Sequence, residues 1–456
     1  MIPHESAQIA FDDDAMEEDP SWQDVFGVQT WEIDRGRSTE FDKMQTGVAR
    51  TIIIDKVGLY DPTNTTSPLF GKLNPMKPSR IVLRNPVTDA LHTLFRGFTN
   101  ELDPKLDISN KFFTHAWDFA DGFDVLTRIE MVPGDVSPLG GGDSQIGDTS
   151  ASASSAQIYF DGMGGLYAGT TDHIGPDDRI NLALDDASWP ALLRSIFSGN
   201  VALQEAVYRR RSSLLAVLLD AADAEFPGVA NIFMNRDGEV WFRGRFARFN
   251  PLNPTYGINQ WYAGDRAAYL ANPDNVALIA DMTMNRGKVN LYNAALSLPQ
   301  GVDAADVPGA LVKDVVSIAK YGWNPINFDS LLLYKGEESG GRLSAVDEAK
   351  LYSTYYVDNY ANPRTRVKQL VFSTRHPMWE SAAPWWALVC GIEIGDVVNL
   401  KTTHPGGGGW DEGFFVEGIH YRAVAHAKTF PHVTMSLDLS PTAYYDTPPS
   451  EDWIIT

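Results

Sequence analysis

The sequence predicts a mainly β protein with an α/β insertion, in which two β-barrel or sandwich domains flank a small α/β domain. Two observations carry that prediction. Short segments that alternate apolar with polar residues recur at near-regular spacing before residue 132 and again after residue 284, with Gly, Pro, Asn and Asp between them. Between residues 176 and 283 the apolar period lengthens to that of a helix, and one tight-turn hairpin follows.

Residues 1–21 form an acidic N-terminal arm, and the first β domain is placed at 22–132. Its strands are expected at Trp31 to Asp34, Val48 to Asp55, Ser79 to Arg84, Thr93 to Thr99, Phe112 to Asp118 and Val125 to Met131. Turn formers such as Asp61-Pro62 and Asn85-Pro86 separate them. Residues 133–175 carry Gly140-Gly141-Gly142 and a Ser/Ala run from Thr149 to Ala156, a composition that buries little and reads as a long loop or insertion.

The α/β domain is placed at 176–283. A helix is expected over Asp177 to Ala187, with Ile180, Leu184 and Ala187 on one face. After Ser188-Trp189-Pro190 a second short helix would carry Leu192, Leu193, Ile196 and Phe197. Ser213 can cap a third through Glu225, with Leu215, Leu218, Leu219 and Ala222 inward. A hairpin then pairs Ile232 to Met234 with Val240 to Phe242 around Asp237-Gly238, because glycine supplies the positive φ a tight turn needs.

The second β domain, 284–442, has strands at Val289 to Leu298, Val371 to Thr374, Val397 to Thr402, Phe414 to His420 and Val433 to Leu439. Between them lies a helix over 344–360, opened by Ser344 and Asp347 in capping-box register and closed before Asn362-Pro363. Its Tyr352, Tyr356 and Tyr360 recur at helical spacing, either as core packing or as a candidate subunit interface. Residues 443–456 form a C-terminal tail.

Composition narrows the function. Lys+Arg number 37 against Asp+Glu 59, a formal charge of −22, so ordinary binding of a nucleic-acid backbone, which requires a basic face, is disfavoured. A single cysteine, Cys390, excludes an internal disulfide framework and a Cys-based zinc module, and fits a reducing compartment. The start lacks the basic and apolar regions of a signal peptide, and no run of apolar residues is long enough to span a bilayer.

A search for reaction chemistry returns no phosphate loop, H-E-x-x-H, G-x-S-x-G or Rossmann glycine fingerprint. No catalytic residue, cofactor or metal site is expected. His420, His426 and His432 straddle strand ends and read as packing or surface histidines rather than a zinc site. Asp118, Asp121 and Asp124 lack the spacing of a calcium loop and read as a polar turn. Gly406 to Gly409, after Pro405 and before Trp410, reads as a hairpin loop. Trp385, Trp386 and Trp410 offer rings that could stack on sugars, with core or interface use the alternative.

Several ordered segments resemble minor tail proteins of long-tailed bacteriophages, mostly those of Gram-positive and actinobacterial hosts. They are Trp31-Glu32-Ile33-Asp34-Arg35-Gly36-Arg37, Glu40 to Ala49, Tyr60 to Pro68, Leu73 to Pro78, Leu94 to Thr99, Gly391 to Val398, Phe415 to Ile419 and Leu439-Ser440-Pro441. The resemblance spans residues 22 to 442. It implies a non-enzymatic tail-tip hub in the virion, assembled in the host cytoplasm, whose two tail-tube-like β domains let three chains form a pseudo-sixfold ring. It further implies a homotrimer that closes the tube and meets distal tail, tube, tape measure and other minor tail proteins. Double-stranded DNA would pass without binding, and the host envelope would be engaged indirectly. A hexameric distal-tail adaptor ring and a cell-wall-binding or hydrolysing tail protein are the alternatives. Under this reading the acidic excess either lines the channel, where carboxylates repel DNA, or solvates the outer surface. The arm residues Asp12, Asp13, Asp14, Glu17, Glu18 and Asp19 would dock on a basic patch of a neighbouring tail protein, or form a free tail.

Overall fold

The structure is a computed structural model of the 456-residue chain. It describes residues 7–109, 111–130, 157–160, 175–204, 206–209, 212–288, 290–307, 309–333, 344–374, 383–424 and 432–446.

The first β segment comprises β1 (Ala7–Ile9), β2 (Gln23–Asp24), β3 (Val28–Gly36), β4 (Gln45–Asp55), β5 (Pro78–Arg84), β6 (Leu91–Asp107) and β7 (Phe112–Ala120). They pair in the antiparallel order β2-β1-β5-β6-β7-β4-β3. Alternation sets which side chains point inward: Ala49, Thr51 and Ile53 of β4 are buried, while Val48 and Arg50 face out. The expected strand from Val125 is instead helix α1 (Gly122–Arg128). Asp121 caps it by accepting from Phe123 N, Phe123 and Leu126 face inward three residues apart, and Asp124 pairs with Arg128 at 2.6 Å. Local capping there outweighs the β propensity of Val125 and Ile129. Most of the Gly/Ser-rich stretch 133–175 lies outside the described residues.

The middle segment holds β8 (Gln157–Phe160), α2 (Pro176–Asp186), β9 (Arg194–Ile196), β10 (Ala206–Arg209), α3 (Leu214–Glu225), β11 (Asn231–Met234), β12 (Val240–Arg243) and α4 (Phe246–Phe249). The Ser213 cap and the hairpin β11–β12 lie where the sequence puts them. The expected second short helix is only a 3-10 turn at Ala191–Leu193, after which the chain enters β9. Parallel pairing of β9 with β12 satisfies its backbone groups and competes successfully with the helix.

The remaining elements are β13 (Gln260–Gly264), α5 (Arg266–Ala271), β14 (Ala277–Leu278), β15 (Asp281–Asn285), β16 (Ala294–Pro299), β17 (Leu311–Lys313), α6 (Val315–Tyr321), β18 (Pro325–Leu331), α7 (Ala345–Tyr360), β19 (Arg366–Ser373), α8 (Ala383–Gly391), β20 (Val397–Thr403), β21 (Gly409–Val424) and β22 (His432–Pro441). The strand expected over Val289 to Leu298 appears as β16, but it joins β17 and β18 in a separate three-stranded sheet. Ser344 caps α7 as expected by accepting from Asp347 N. Helix α8 carries no sequence signal, because its apolar residues run around most of its circumference and leave no amphipathic period.

Strand β21 unites the molecule. One edge pairs with β22, with a bulge at 416–418; the other pairs with β20 over Gly409–Phe415 and then with β3 over Gly418–Val424. The two β segments are thereby joined into one hydrogen-bonded set of 14 strands, with the α/β middle held against it.

Candidate functional site

The residues singled out in the sequence do not converge on a reaction centre. His420 Nδ1 lies 2.7 Å from Asp34 and Nε2 lies 3.0 Å from Asp438, so the ring ties β21 to β3 and β22. Hydrogen bonds to Asp34 and Asp438 push it up to about 9. His432 bonds to Ser373, and His426 lies outside the described residues. Asp118 pairs with Arg50, Asp121 is the buried cap of α1, and Asp124 pairs with Arg128, so these three carboxylates serve separate roles. Gly406 and Gly407, both at positive φ, turn the chain between β20 and β21.

Two expectations are corrected. Tyr352, Tyr356 and Tyr360 are at most 1% exposed and form interior packing, so none presents a surface to another subunit. Tyr352 Oη donates to Glu225 O at 2.9 Å and Tyr356 Oη to Pro227 O at 2.5 Å, while Phe226 stacks on Tyr352. The N-terminal arm is not a free extension over its described part. Its β1 is inserted between β2 and β5, Asp12 pairs with Lys72, and Asp13 takes Ser21 N and, through its carbonyl, Lys77 Nζ. Asp12, despite its pair with Lys72, is exposed along with Asp14, Glu17, Glu18 and Asp19. Trp385 and Trp386 are buried edge to face in α8 and cannot meet a sugar, and Trp410 packs on Phe414.

What the structure does assemble is a buried ionic junction. Alternation along β3 places Arg35 and Arg37 on the same inward side as Trp31 and Ile33. Arg35 donates to Glu393 at 2.6 Å and to Met234 O at 2.9 Å. Arg37 donates to Glu417 at 2.8 Å and to Asn231 at 2.8 Å. Glu417 also takes Arg248 at 2.6 Å and Ser440 Oγ at 2.5 Å. Burial alone would raise the Glu417 carboxyl, but Arg248 and Arg37 outweigh it and hold the group at about 2. A second node joins Arg245 to Glu348 of α7 and Glu225 of α3, with Glu225 capping Asn200 N and Val201 N.

Burying ions costs several kcal/mol each unless they are paired and hydrogen-bonded, so this junction specifies one docking of hairpin, β3 and β21 more than it adds stability. Gly36 makes the closest approach possible: it sits at φ +94, and a Cβ there would meet Glu417 O at 2.3 Å. Sequence reading missed Arg35, Arg37, Glu393 and Glu417 as a unit. The readable signal was charge at inward positions of otherwise apolar strands, within the very segments that carry the tail-protein resemblance.

Beside the junction a cleft of about 300 Å³ opens between loop 37–44, α3 and β18, with Lys43, Asp220, Asp223 and Asp329 among its lining residues. Among the described residues no group of His, Cys, Asp and Glu is placed to hold a metal ion.

No protein-family profile matches the chain, and no curated protein matches it in sequence. Solved structures do. The 43 kDa tail protein of prophage MuSo2 from Shewanella oneidensis aligns over 93% of this chain and 97% of its own, with a TM-score of 0.51 and 10% identity. The tail protein from Neisseria meningitidis MC58 aligns over 97% and 98%, with a TM-score of 0.52 and 10% identity. The chain has the fold of these tail proteins. At such identity the likeness lies in topology, end to end in both chains, and not in shared side chains.

Proposed function

We propose that the chain is a structural component of a phage tail, a hub that forms a trimeric ring at the tail tip below the tube. The observation that carries the reading is the end-to-end fold likeness to two tail proteins, each covered over nearly its whole length. The joined β segments support it, since two β units per chain allow three chains to approximate a sixfold tube. The ring would close the tube, anchor tip and receptor-binding proteins, and meet distal tail and tape measure proteins. Its acidic excess would face the channel, where carboxylates repel DNA phosphates over about 8 Å and leave the duplex free to move. The solvent-facing Asp14, Glu17, Glu18 and Asp19 would meet a basic patch on a neighbouring tail protein.

Native mass spectrometry of the purified chain and a map of the tail tip test this reading: three copies around one axis are expected, and six would favour the distal-tail adaptor ring. Deleting residues 1–20 would remove β1 and disturb the fold, so the docking arm is tested by converting Asp14, Glu17, Glu18 and Asp19 to amides and counting assembled tails.

A further inference from the structure

The cleft between loop 37–44, α3 and β18 combines three features that one kind of ligand would use together. The first is a free strand edge. β18 is an outer strand of its three-stranded sheet and pairs there only with β16. Just past it the same outer edge is seen to pair: Leu331 O takes Gln300 N on the β16 side at 2.7 Å, and Leu332 O, pointing the other way, takes Gln204 N at 3.0 Å. Over 327–330, where β18 lines the cleft, the backbone hydrogen-bonds to no strand on that outer side among the described residues. Unpaired backbone groups along a strand edge are a template for one more strand.

The second feature is an apolar lining. Phe41, Leu219 and Phe328 border the cleft and are only half-buried. The loop that carries Phe41 is held in place without a ligand: Arg37 donates to Asp42 O at 3.2 Å and to Gly228 O at 3.1 Å, and Asp42 N donates to Thr39 O at 3.1 Å. The third feature is charge. Asp42, Asp220, Asp223 and Asp329 border the cleft against one lysine, Lys43, since the Arg37 guanidinium is already taken by Glu417 at 2.8 Å. Lys43 reaches Asp223 only at 3.7 Å, with both side chains substantially exposed, and Asp220 has the Tyr208 hydroxyl near it. Burial pushes the Asp220 and Asp223 carboxyls up against the pull of Lys43, so the cleft is short of positive charge. Apolar surface beside carboxylates suits the methylene stem and charged head of a lysine or arginine.

We propose that this cleft receives an extended segment of another protein that carries lysine or arginine. The segment adds as a strand to the outer edge of β18 over 327–330, with its basic heads against Asp220, Asp223 and Asp329 and their stems on Phe41 and Leu219. The inference does not depend on the tail-hub reading.

The test uses the full chain and the fluorescein-labelled peptide Thr-Val-Arg-Val-Lys-Val-Thr, with binding read by anisotropy. A neutral counterpart carries citrulline and norleucine in place of arginine and lysine and is expected to bind at least about tenfold more weakly. Two further peptides carry N-methyl groups on one or the other alternate set of backbone nitrogens, which removes the donors a ladder needs, and at least one of them should lose about tenfold. Asp220→Asn with Asp223→Asn should weaken the basic peptide by about tenfold, whereas Asp274→Asn with Glu412→Gln, the same loss of charge at exposed positions elsewhere, should leave it unchanged. Equal weakening by the two double variants would reduce the binding to attraction by net charge and overturn the site. Full affinity of both N-methylated peptides would overturn strand addition, and no binding of the basic peptide, or equally tight binding of the neutral one, would overturn the proposal outright.

Discussion

Arg37 and Glu417 stand 380 residues apart in the chain and meet at 2.8 Å in the interior, where Glu417 also takes Arg248. The pair fastens the end of β3 beside the bulge in β21, the point at which the two β segments become one sheet. Replacing Glu417→Gln removes the charge that compensates two buried guanidinium groups and is expected to cost about 3–5 kcal/mol. Denaturant unfolding measures it. The sign of its pH dependence follows from a folded value of about 2 set below the ordinary 4.5: stability from this group is complete above 4.5 and is lost as pH falls toward 2. The variant should therefore show a flatter acid limb than the parent.

Gly36 controls the same crossing through its backbone. With φ +94 and a Cβ destined for 2.3 Å from Glu417 O, Gly36→Ala is expected to destabilise by about 3 kcal/mol or more, or to leave the chain insoluble. A soluble variant with an unchanged melting temperature would mean that β3 and β21 do not approach as described.

The tyrosines of α7 are a test of core against interface. Tyr356→Phe strands the carbonyl of Pro227 and should cost about 1–2 kcal/mol with no change in native mass. A shift in oligomeric state at unchanged monomer stability would return these residues to a subunit contact.

His420 gives the opposite pH signature from Glu417. Its folded value, about 9, lies above the unfolded 6.5, so its contribution is complete below 6.5 and disappears as pH rises through 9. With the side chain about one third exposed, solvent screening reduces the effect to about 1 kcal/mol. His420→Gln should flatten the stability profile between pH 6.5 and 9, as read by thermal unfolding across that range.

Much of the fold was legible where period and caps agree. The Ser213 and Ser344 caps located α3 and α7, Asp237-Gly238 located the hairpin, and alternation located β3, β4, β5, β7 and β20. The failures have local causes. Around Val125 a capping aspartate two residues before the apolar pair overrode β propensity, and at Ile196 a strand partner more than forty residues away in sequence drew the chain out of a helix. Helix α8 was invisible because burial on nearly all sides erases periodicity. The junction was half legible: Arg35 and Arg37 alternate in phase with Trp31 and Ile33, but their partners Glu393 and Glu417 arrive by long-range pairing that no local pattern encodes.

In the proposed assembly three copies of this chain form a ring whose acid faces a channel. A reconstruction of the tail tip that resolves this protein tests it most directly. Threefold symmetry of the chain is expected, with its β strands around the axis and its carboxylates concentrated on the inner wall. Six copies around the axis, or an inner wall no more acidic than the outer surface, would contradict it.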